Sequence, residues 1–424
     1  MSSPPPPSNS SKGVPPWTAF SSRTRATDDA LVEGLRSDVL QAFDWVAEVE
    51  RTAPVRLENF SSRGSYSWID AHKPTILVPG SPRAWRDRAL PFRVSQDWGF
   101  NVFDPSGFFM GTMSKLLPLF RAVDVMEEDA RAETRTEWGA LDFVLDRSSM
   151  RKLLRWVRFA DPTTPPTGAL PPPFRLDLQL GGEKTVLVDR WDTRTFETMP
   201  LGFRRNFDEA TTAPTTSAQS TKYHHRIVQY DLESLRLMVR FEVDAFTRDD
   251  DDPTDLFANL SLSSSSTPPI TTPATTDTST AIAVVRGGER IPHTSLVEIT
   301  TRSRKAAGYK WYETYSQLFL SQTPHFYLGM HDHGTFFEIE KHELASPKFD
   351  RYEKDERMQR SLRQLVRLLE AVQDLVKQHG KEGRLSLVCR KGKLELLERT
   401  AGHDGAGRLP DSVLARFDRS ASRP

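Results

Sequence analysis

The chain has very little cysteine, no long apolar run and no net charge, and each absence excludes a class of protein. It carries a single cysteine, Cys389, among 424 residues, so no disulfide can form within it, which fits a reducing compartment. No apolar run approaches the roughly 18 residues of a membrane span, and the N-terminus lacks the apolar core of a signal peptide. The 57 basic and 57 acidic residues cancel, so no overall field attracts a polyanion. We therefore expect a nuclear or cytoplasmic protein without membrane contact, in which any nucleic-acid contact uses a local patch.

The residues that are present favour one large globular domain. With 37% hydrophobic residues the chain can bury a sizeable core, and strand-like segments alternate with long helical ones and several hairpins. We predict a mixed α/β single domain over residues 23–400, with a central mixed sheet flanked by helices. Residues 1–22 are rich in Pro and Ser and are predicted to be disordered, and 401–424 is predicted to be a loose tail. Low-complexity stretches predict loop insertions at 161–173, 209–221 and 249–280.

Helical periodicity predicts two long helices and one shorter basic helix. Thr27 is an N-cap candidate for a helix through Glu50, because apolar residues recur there every three or four positions. The same spacing runs from Met358 to Val376 and stops before a glycine. The segment Trp138–Val157 predicts a short approach segment and then a helix rich in arginine and lysine. Charge pattern alone favours a solvated face for that helix.

Two strand-like segments end in acidic residues. From Leu235 to Val243 every second residue is apolar, which is the period of a half-buried strand. Glu242 and Asp244 therefore share the other face. A second segment, Leu296–Arg302, alternates in the same way and has a polar face of its own.

That second polar face consists of Glu298, Thr300 and Arg302. Three carboxylates from the two strands can then converge, and such a cluster supplies the oxygen ligands that Mg²⁺ and similar ions prefer. Paired metal ions serve phosphoryl transfer in many nucleases. From spacing alone, however, salt bridges along a solvent-facing strand edge, with Arg240 and Arg302 as partners, would explain the same residues.

At these residues the sequence resembles the metal-dependent decapping exoribonucleases of the DXO type, members of the PD-(D/E)XK nuclease superfamily. Glu242-Val243-Asp244 matches the family's Glu-apolar-Asp motif. Glu298-Ile299-Thr300 aligns with its Glu-apolar-Lys motif. The resemblance is that of a divergent, fungal-type member, and it implies a PD-(D/E)XK nuclease-like fold.

Two further segments follow in the family's order. Trp311–Leu320, with Gln317, resembles the family's aromatic-rich helix that carries an essential glutamine, and a strand with a glycine-containing hairpin comes next. Upstream, the segment around Arg147 resembles the one whose arginine contacts the RNA 5′ end, so Arg147, Arg151 and Lys152 become candidate phosphate-binding residues. The resemblance covers roughly residues 60 to 400, and this shared order is more specific than any single motif.

Two positions depart from the family pattern. Thr300 stands where the superfamily lysine is expected, and Arg302 or Lys305 are candidates to replace it. Strict spacing puts Asn206 where a metal-binding glutamate belongs, with Asp208 or Glu209 as substitutes after a small shift.

The resemblance implies a Mg²⁺- or Mn²⁺-dependent hydrolase that removes incomplete or non-standard caps from RNA 5′ ends, whether capped, NAD-capped or triphosphate, and degrades RNA 5′ to 3′. In that interpretation Glu242, Asp244, Glu298 and the Ile299 carbonyl hold metal, while Arg147 and Gln317 orient phosphates. The alternative is a catalytically silent homologue that binds RNA 5′ ends or a partner 5′-to-3′ exoribonuclease. Thr300 and Asn206 favour that alternative. A monomer is expected in either case.

Two other motifs are set aside. Asp251–Asp255 fits the Asp-Asp-x-x-Asp motif of isoprenoid synthases such as geranylgeranyl diphosphate synthase, but it contains a proline and lies in a low-complexity stretch between strands. His331 and His333 flank Asp332 just before Gly334. This spacing could bind a metal, but the pattern favours a hairpin turn over a histidine metal site.

Overall fold

A computed structural model describes residues 28–44, 53–128, 135–163, 170–192, 194–199, 201–215, 221–248, 275–276, 282–400 and 407–418. The predicted disordered segment 1–22 lies outside these ranges, as do residues 164–169 and most of the predicted insertion 249–280, including Asp251–Asp255.

Helices in the described part of the chain vary from one turn to about seven. They are α1 (Asp28–Leu31), α2 (Pro105–Met110), α3 (Leu117–Glu127), α4 (Arg147–Ala160), α5 (Arg204–Thr211), α6 (Trp311–Ser321), α7 (Pro347–Glu353), α8 (Glu356–His379) and α9 (Asp411–Leu414), with short 3₁₀ turns at Trp138–Ala140 and His293–Ser295. None of the described helices is both long and apolar enough to cross a membrane.

The strands are numbered along the chain. They are β1 (Leu35–Phe43), β2 (Leu57–Ile69), β3 (Thr75–Gly80), β4 (Arg83–Trp85), β5 (Phe92–Arg93), β6 (Phe100–Val102), β7 (Phe143–Asp146), β8 (Phe174–Gly181), β9 (Thr185–Trp191), β10 (Phe196–Thr198), β11 (Thr212–Ala213), β12 (Thr221–Leu232), β13 (Leu235–Val243), β14 (Ala245–Phe246), β15 (Thr275–Thr276), β16 (Ala283–Gly288), β17 (Leu296–Ser303), β18 (His325–Asp332), β19 (Thr335–Glu343), β20 (Leu385–Arg390) and β21 (Lys393–Arg399).

The strands form two large mixed sheets where one central sheet was predicted. The first sheet has twelve strands in the order β1-β21-β20-β8-β9-β7-β13-β12-β2-β3-β16-β15. The second has seven, in the order β11-β4-β14-β17-β18-β19-β5, and β10 pairs with β6 in a small ribbon. The mixed α/β class, with sheets flanked by helices, is confirmed. The two segments that carry the acidic residues, β13 and β17, belong to different sheets.

Helices cover both faces of the first sheet. Helices α4, α6 and α8 pack on one face through residues such as Leu154, Leu318 and Leu365, and α3 packs on the other through Phe120. Strand β13 lies between these layers and is buried on both faces, since Met238 joins the second core. It is therefore more deeply buried than its alternating sequence predicted.

The structure confirms the predicted helix that begins near Met358. The Asp355 side chain caps α8 by accepting a hydrogen bond from the Met358 N–H at 2.9 Å. The helix ends at Gly380, whose φ of +67° suits glycine. Its apolar stripe faces the core as expected from the spacing.

The predicted helix from Thr27 to Glu50 is wrong over residues 28–44, the part of it that the structure describes. Helix α1 ends at Leu31, Gly34 turns the chain with a φ of +71°, and Leu35–Phe43 forms strand β1 paired antiparallel with β21. The pairing available at this sheet edge overrides the helical spacing.

Two predicted boundaries also need correction. In the predicted insertion 209–221, α5 continues to Thr211 and β11 pairs with β4. In the predicted loose tail 401–424, Leu409, Val413 and Phe417 are buried against α3 and the first sheet. The tail is mostly polar, but its few apolar side chains pack against the domain and hold it in place.

Candidate active site

Asp244 lies where the chain passes from the first sheet to the second, between β13 and β14. Its carboxylate accepts a hydrogen bond from the Ile299 backbone N–H at 2.8 Å, which ties the end of β13 to β17. Glu242 lies two residues before Asp244 in the chain, and Glu298 immediately precedes Ile299. Each of the three carboxylates acts electrostatically on another, so the structure brings Glu242, Asp244 and Glu298 together.

Arg147 holds Glu298 from the first turn of α4. Strand β7 runs parallel to β13 with Asp146 opposite Arg240, so the next residue, Arg147, comes level with the acidic end of β13. The Arg147 guanidinium lies 3.1 Å from the Glu298 carboxylate and both residues are buried. Arg240 pairs with Asp146 at 2.7 Å, and not with the acidic residues as a surface salt-bridge explanation required.

Helix α6 presents two side chains one turn apart to this ion pair. Gln317 hydrogen-bonds the Glu298 carboxylate, and the Ser321 hydroxyl accepts a hydrogen bond from Arg147 at 3.2 Å. Burial alone would raise the pKa of Glu298, but the charges of Arg147 and Arg204 and the Gln317 hydrogen bond hold it below its usual value. Glu298 is therefore an ionised, fixed carboxylate.

Arg204 is a site residue that the sequence did not indicate. From the first turn of α5 its guanidinium lies 2.8 Å from Asp244 and 3.5 Å from Asp208. It also acts electrostatically on Glu242 and Glu298. One arginine thus links the acidic residues of both sheets.

The phase of α5 decides among the three candidates for the missing glutamate. The Asn206 side-chain amide donates to two backbone carbonyls of residues 95–96, at 2.9 and 3.2 Å. Glu209 is exposed and pairs with Arg205 at 3.5 Å. Asp208 alone shares the Arg204 face, and its Oδ1 is buried with no hydrogen-bond partner. The structure therefore brings Asp208 to the acidic cluster and turns Asn206 and Glu209 away from it.

The cluster carries more negative charge than its arginines neutralise. Burial, Glu298 and Asp208 outweigh Arg204 and raise the pKa of Asp244 to about 8. Burial likewise raises the pKa of Asp208 to about 6. Burial by the surrounding protein and the charge of Asp244 raise the pKa of Glu242 to about 7, although its side chain is open to solvent, which screens this effect.

The position of the missing lysine is occupied by hydroxyl groups. Thr300 hydrogen-bonds the Tyr309 hydroxyl, and that hydroxyl also accepts from Thr314 at 3.0 Å. Arg302 donates to a backbone carbonyl of the following turn at 2.6 Å, and Lys305 pairs with Asp332 at 3.1 Å. Neither cation is engaged with the acidic cluster in the described contacts.

The basic residues of α4 divide between two sides. Arg151 lies 3.7 Å from Glu313 on α6, and its pKa is lowered by burial and by neighbouring Arg147. Lys152 reaches toward Asp192 at 4.0 Å. Arg151 therefore extends the positive charge of Arg147, whereas Lys152 belongs to a separate buried ion-pair group.

The donor set fits a hard divalent cation in its chemistry. It offers carboxylate oxygens, the Ile299 carbonyl and the orphaned Asp208 Oδ1, the ligand types that Mg²⁺ and Mn²⁺ take. In the described residues, however, no three acidic, histidine or cysteine side chains are already arranged around a common ion position. Arg204 stands among the carboxylates instead, so a cation would bind Asp244 in competition with it.

Arg204→Gln is expected to tighten Mn²⁺ binding about tenfold, because the variant removes both an ion pair that must break and a positive charge beside the metal. Calorimetric titration of the metal-free protein measures this. Arg205→Gln, which removes a neighbouring arginine that pairs with Glu209 and not with Asp244, is the matched control and should leave the affinity unchanged. Weaker binding in Arg204→Gln would show that Arg204 supports the metal ligands and does not compete with metal.

Solved structures share the fold of this chain. S. pombe Rai1 is similar at 15% identity with a TM-score of 0.53, over 84% of this chain and 99% of that one. Its complex with 3′-FADP matches at 14% identity and 0.52, over 84% and 99%. Candida albicans Rai1 in complex with pU5 and Mn²⁺ matches at 11% identity and 0.50, over 89% and 95%. The resemblance to the DXO-type decapping family is thus confirmed at the level of fold.

No curated protein sequence matches the chain. A profile of a family described as a domain of unknown function, DUF8563, matches residues 44–401. Because that match spans most of the 424 residues, the chain belongs to the DUF8563 family.

Proposed function

We propose that the protein is a metal-dependent hydrolase of RNA 5′ ends. One observation carries the proposal: acidic residues from two different sheets meet at the Asp244 crossing, and a buried arginine and a glutamine from two helices hold the innermost of them. Surface salt bridges require no such convergence. Like charges held close together cost free energy, and they persist where function requires them.

The similar structures support the class of substrate. One S. pombe Rai1 structure holds 3′-FADP, and the C. albicans Rai1 structure holds pU5 and Mn²⁺. Both organic ligands are nucleotides, and the second is accompanied by a divalent ion. They support a nucleotide 5′ end as substrate and Mg²⁺ or Mn²⁺ as cofactor for this chain.

The proposed roles follow from the contacts. Glu242, Asp244, Glu298 and the Ile299 carbonyl would hold the ion, with Asp208 as a further ligand. A bound divalent ion would supply Lewis acidity and a water of lowered pKa. Gln317 keeps Glu298 oriented. The cations that would bind the phosphates of the RNA are Arg147 and Arg151.

The hydroxyls of Thr300 and Tyr309 supply hydrogen bonds but no positive charge where the family has lysine. A cation beside the attacking water stabilises the charge that develops on phosphorus. The wild-type enzyme is therefore expected to be slow. The same observation favours the second candidate function, a silent homologue that binds RNA 5′ ends or a partner exoribonuclease, because Arg302 and Lys305 are engaged elsewhere.

Thr300→Lys is expected to raise RNA 5′-end hydrolysis at least about tenfold, since a transition-state donor is worth roughly 10²- to 10³-fold when removed. The gain should appear in kcat with little change in RNA affinity. Single-turnover assays on capped, NAD-capped, triphosphate and monophosphate RNA, with Mn²⁺ or Mg²⁺, measure it.

Arg302→Ala serves as the companion variant. If Arg302 already takes the role of the missing lysine, Arg302→Ala should be inactive and Thr300→Lys should add little activity. If wild type and Thr300→Lys both leave all four RNAs intact with either metal, the hydrolase proposal fails. Measured binding of 5′-phosphorylated RNA by the same inactive protein would then support the silent homologue.

A further inference from the structure

A row of aromatic rings leads away from Glu242 along the surface. Its members are Tyr223, Phe109, Phe108, Phe196 and Phe100, with successive ring centroids 6.4, 5.2, 6.3 and 5.8 Å apart. We call these five rings the aromatic row. His224 pairs with Val243 in the antiparallel ladder of β12 and β13, so Tyr223 comes level with Asp244 and the row begins beside the acidic cluster.

The outer part of the row is open to solvent. Phe100 is 55% exposed and Phe108 40%, and Trp98, two residues before Phe100, is 82% exposed. The backbone around Trp98 is held in place, because the Asp97 carboxylate accepts hydrogen bonds from the first turn of α5 at 3.0 and 3.1 Å. Large aromatic rings grouped on a fixed, exposed surface indicate a binding site.

Tyr223 reaches the row through an irregularity in the sheet. The register of β12 with β2 shifts between Lys222 and His224, and Tyr223 takes a φ of +48°. A non-glycine residue in that region is strained, and bulges of this kind redirect side chains next to functional sites. Tyr223 has no partner in β2 at this bulge, and its ring packs against Phe109 with centroids 6.4 Å apart.

We propose that the aromatic row binds the bases of single-stranded RNA whose 5′ end lies at the acidic cluster. This inference rests on the proposed function and extends it from the 5′ end to the RNA body. Successive bases stack on aromatic rings whatever their identity, and nearby arginines such as Arg205, about half exposed, attract the phosphates between them. The row therefore favours unpaired RNA over duplex.

The decisive variant is Phe100→Ala with Phe108→Ala, both of which lie on the surface. Fluorescence anisotropy in EDTA, where hydrolysis cannot intervene, compares 5′-monophosphate RNA of about two and about ten nucleotides, on either side of the smaller single-strand site sizes. The double variant is expected to bind the longer RNA at least about tenfold more weakly than wild type does. It should bind the shorter RNA as tightly as wild type. Trp98→Ala, which changes no core residue, should lower the affinity for the longer RNA by a smaller factor and leave the affinity for the shorter RNA unchanged.

Phe159→Ala is the control, because Phe159 is 43% exposed but lies near the C-terminal end of α4, away from Arg147. Three results would overturn the proposal that the aromatic row binds RNA: unchanged affinity for long RNA in both test variants, equal losses of affinity for short and long RNA, or no binding of single-stranded RNA by wild type. A dimer of wild type in sedimentation that the double variant no longer forms would also overturn it, because the row would then join two copies of the chain. Hydrolysis of a capped dinucleotide by wild type judges the proposed function separately.

Discussion

Glu242→Gln combined with Asp244→Asn is expected to remove Mn²⁺ binding and RNA hydrolysis together, lowering kcat/KM by at least about 1000-fold. Two carboxylates that would bind the metal ion leave the site, while the amide that replaces the Asp244 carboxylate keeps an oxygen to accept the Ile299 N–H bond now made at 2.8 Å. The loss should therefore not come from misfolding. Calorimetry with Mn²⁺ and single-turnover hydrolysis measure the two effects on the same samples.

The pH dependence of stability offers an independent reading of this double variant. In the metal-free folded protein the pKa of Asp244 is raised from 3.8 to about 8, so the folded state holds a proton that the unfolded state releases. The contribution of Asp244 to stability should then fall as pH rises from about 4 to about 8. The double variant should show a weaker slope. Unchanged Mn²⁺ affinity in that variant would remove the metal-site hypothesis, whatever its activity.

The period-two pattern could identify the acidic residues but not the place where they meet. Glu242, Asp244 and Glu298 stand out because alternation assigns them to polar faces. That β13 and β17 lie in different sheets follows from a one-residue crossing at Asp244. No local pattern distinguishes such a crossing from a strand that simply continues.

The orientation of α5 explains why residue spacing selected the wrong side chain for the position of the missing glutamate. A motif aligned by strict residue count selects Asn206, but the orientation of α5 is fixed by the Asp97 carboxylate at its first turn. That contact joins residues more than a hundred positions apart. Arg204, which reaches Asp244 from the same helix, depends on the same long-range contact and could not be selected from sequence.

Arg147→Met is expected to lower the free energy of unfolding by about 3 kcal/mol, because removing one partner of a buried ion pair leaves the other charge uncompensated. Arg147 and Glu298 are each only 8% exposed, and the nearby carboxylates Asp244 and Glu242 add to the unfavourable field. Urea unfolding at pH 8 measures the loss. Arg155→Met is the matched control on the same helix, since Arg155 is 37% exposed and pairs with Glu313, and it should cost less than about 1 kcal/mol.

The pH dependence separates the lost charge partner from lost packing. In the wild type the pKa of Glu298 is held below its ordinary 4.5, so this carboxylate stabilises the fold above that pH and the contribution is lost as pH falls through the folded pKa. Without Arg147 the pKa of Glu298 should rise, and uptake of a proton should shrink the deficit between pH 8 and pH 5. Glu298→Gln in the Arg147→Met background should restore most of the stability at pH 8, because no buried charge then remains. A deficit that is constant with pH and unrescued by Glu298→Gln would mean that Arg147 contributes packing, through the Phe241 ring 5.2 Å away, and does not neutralise Glu298.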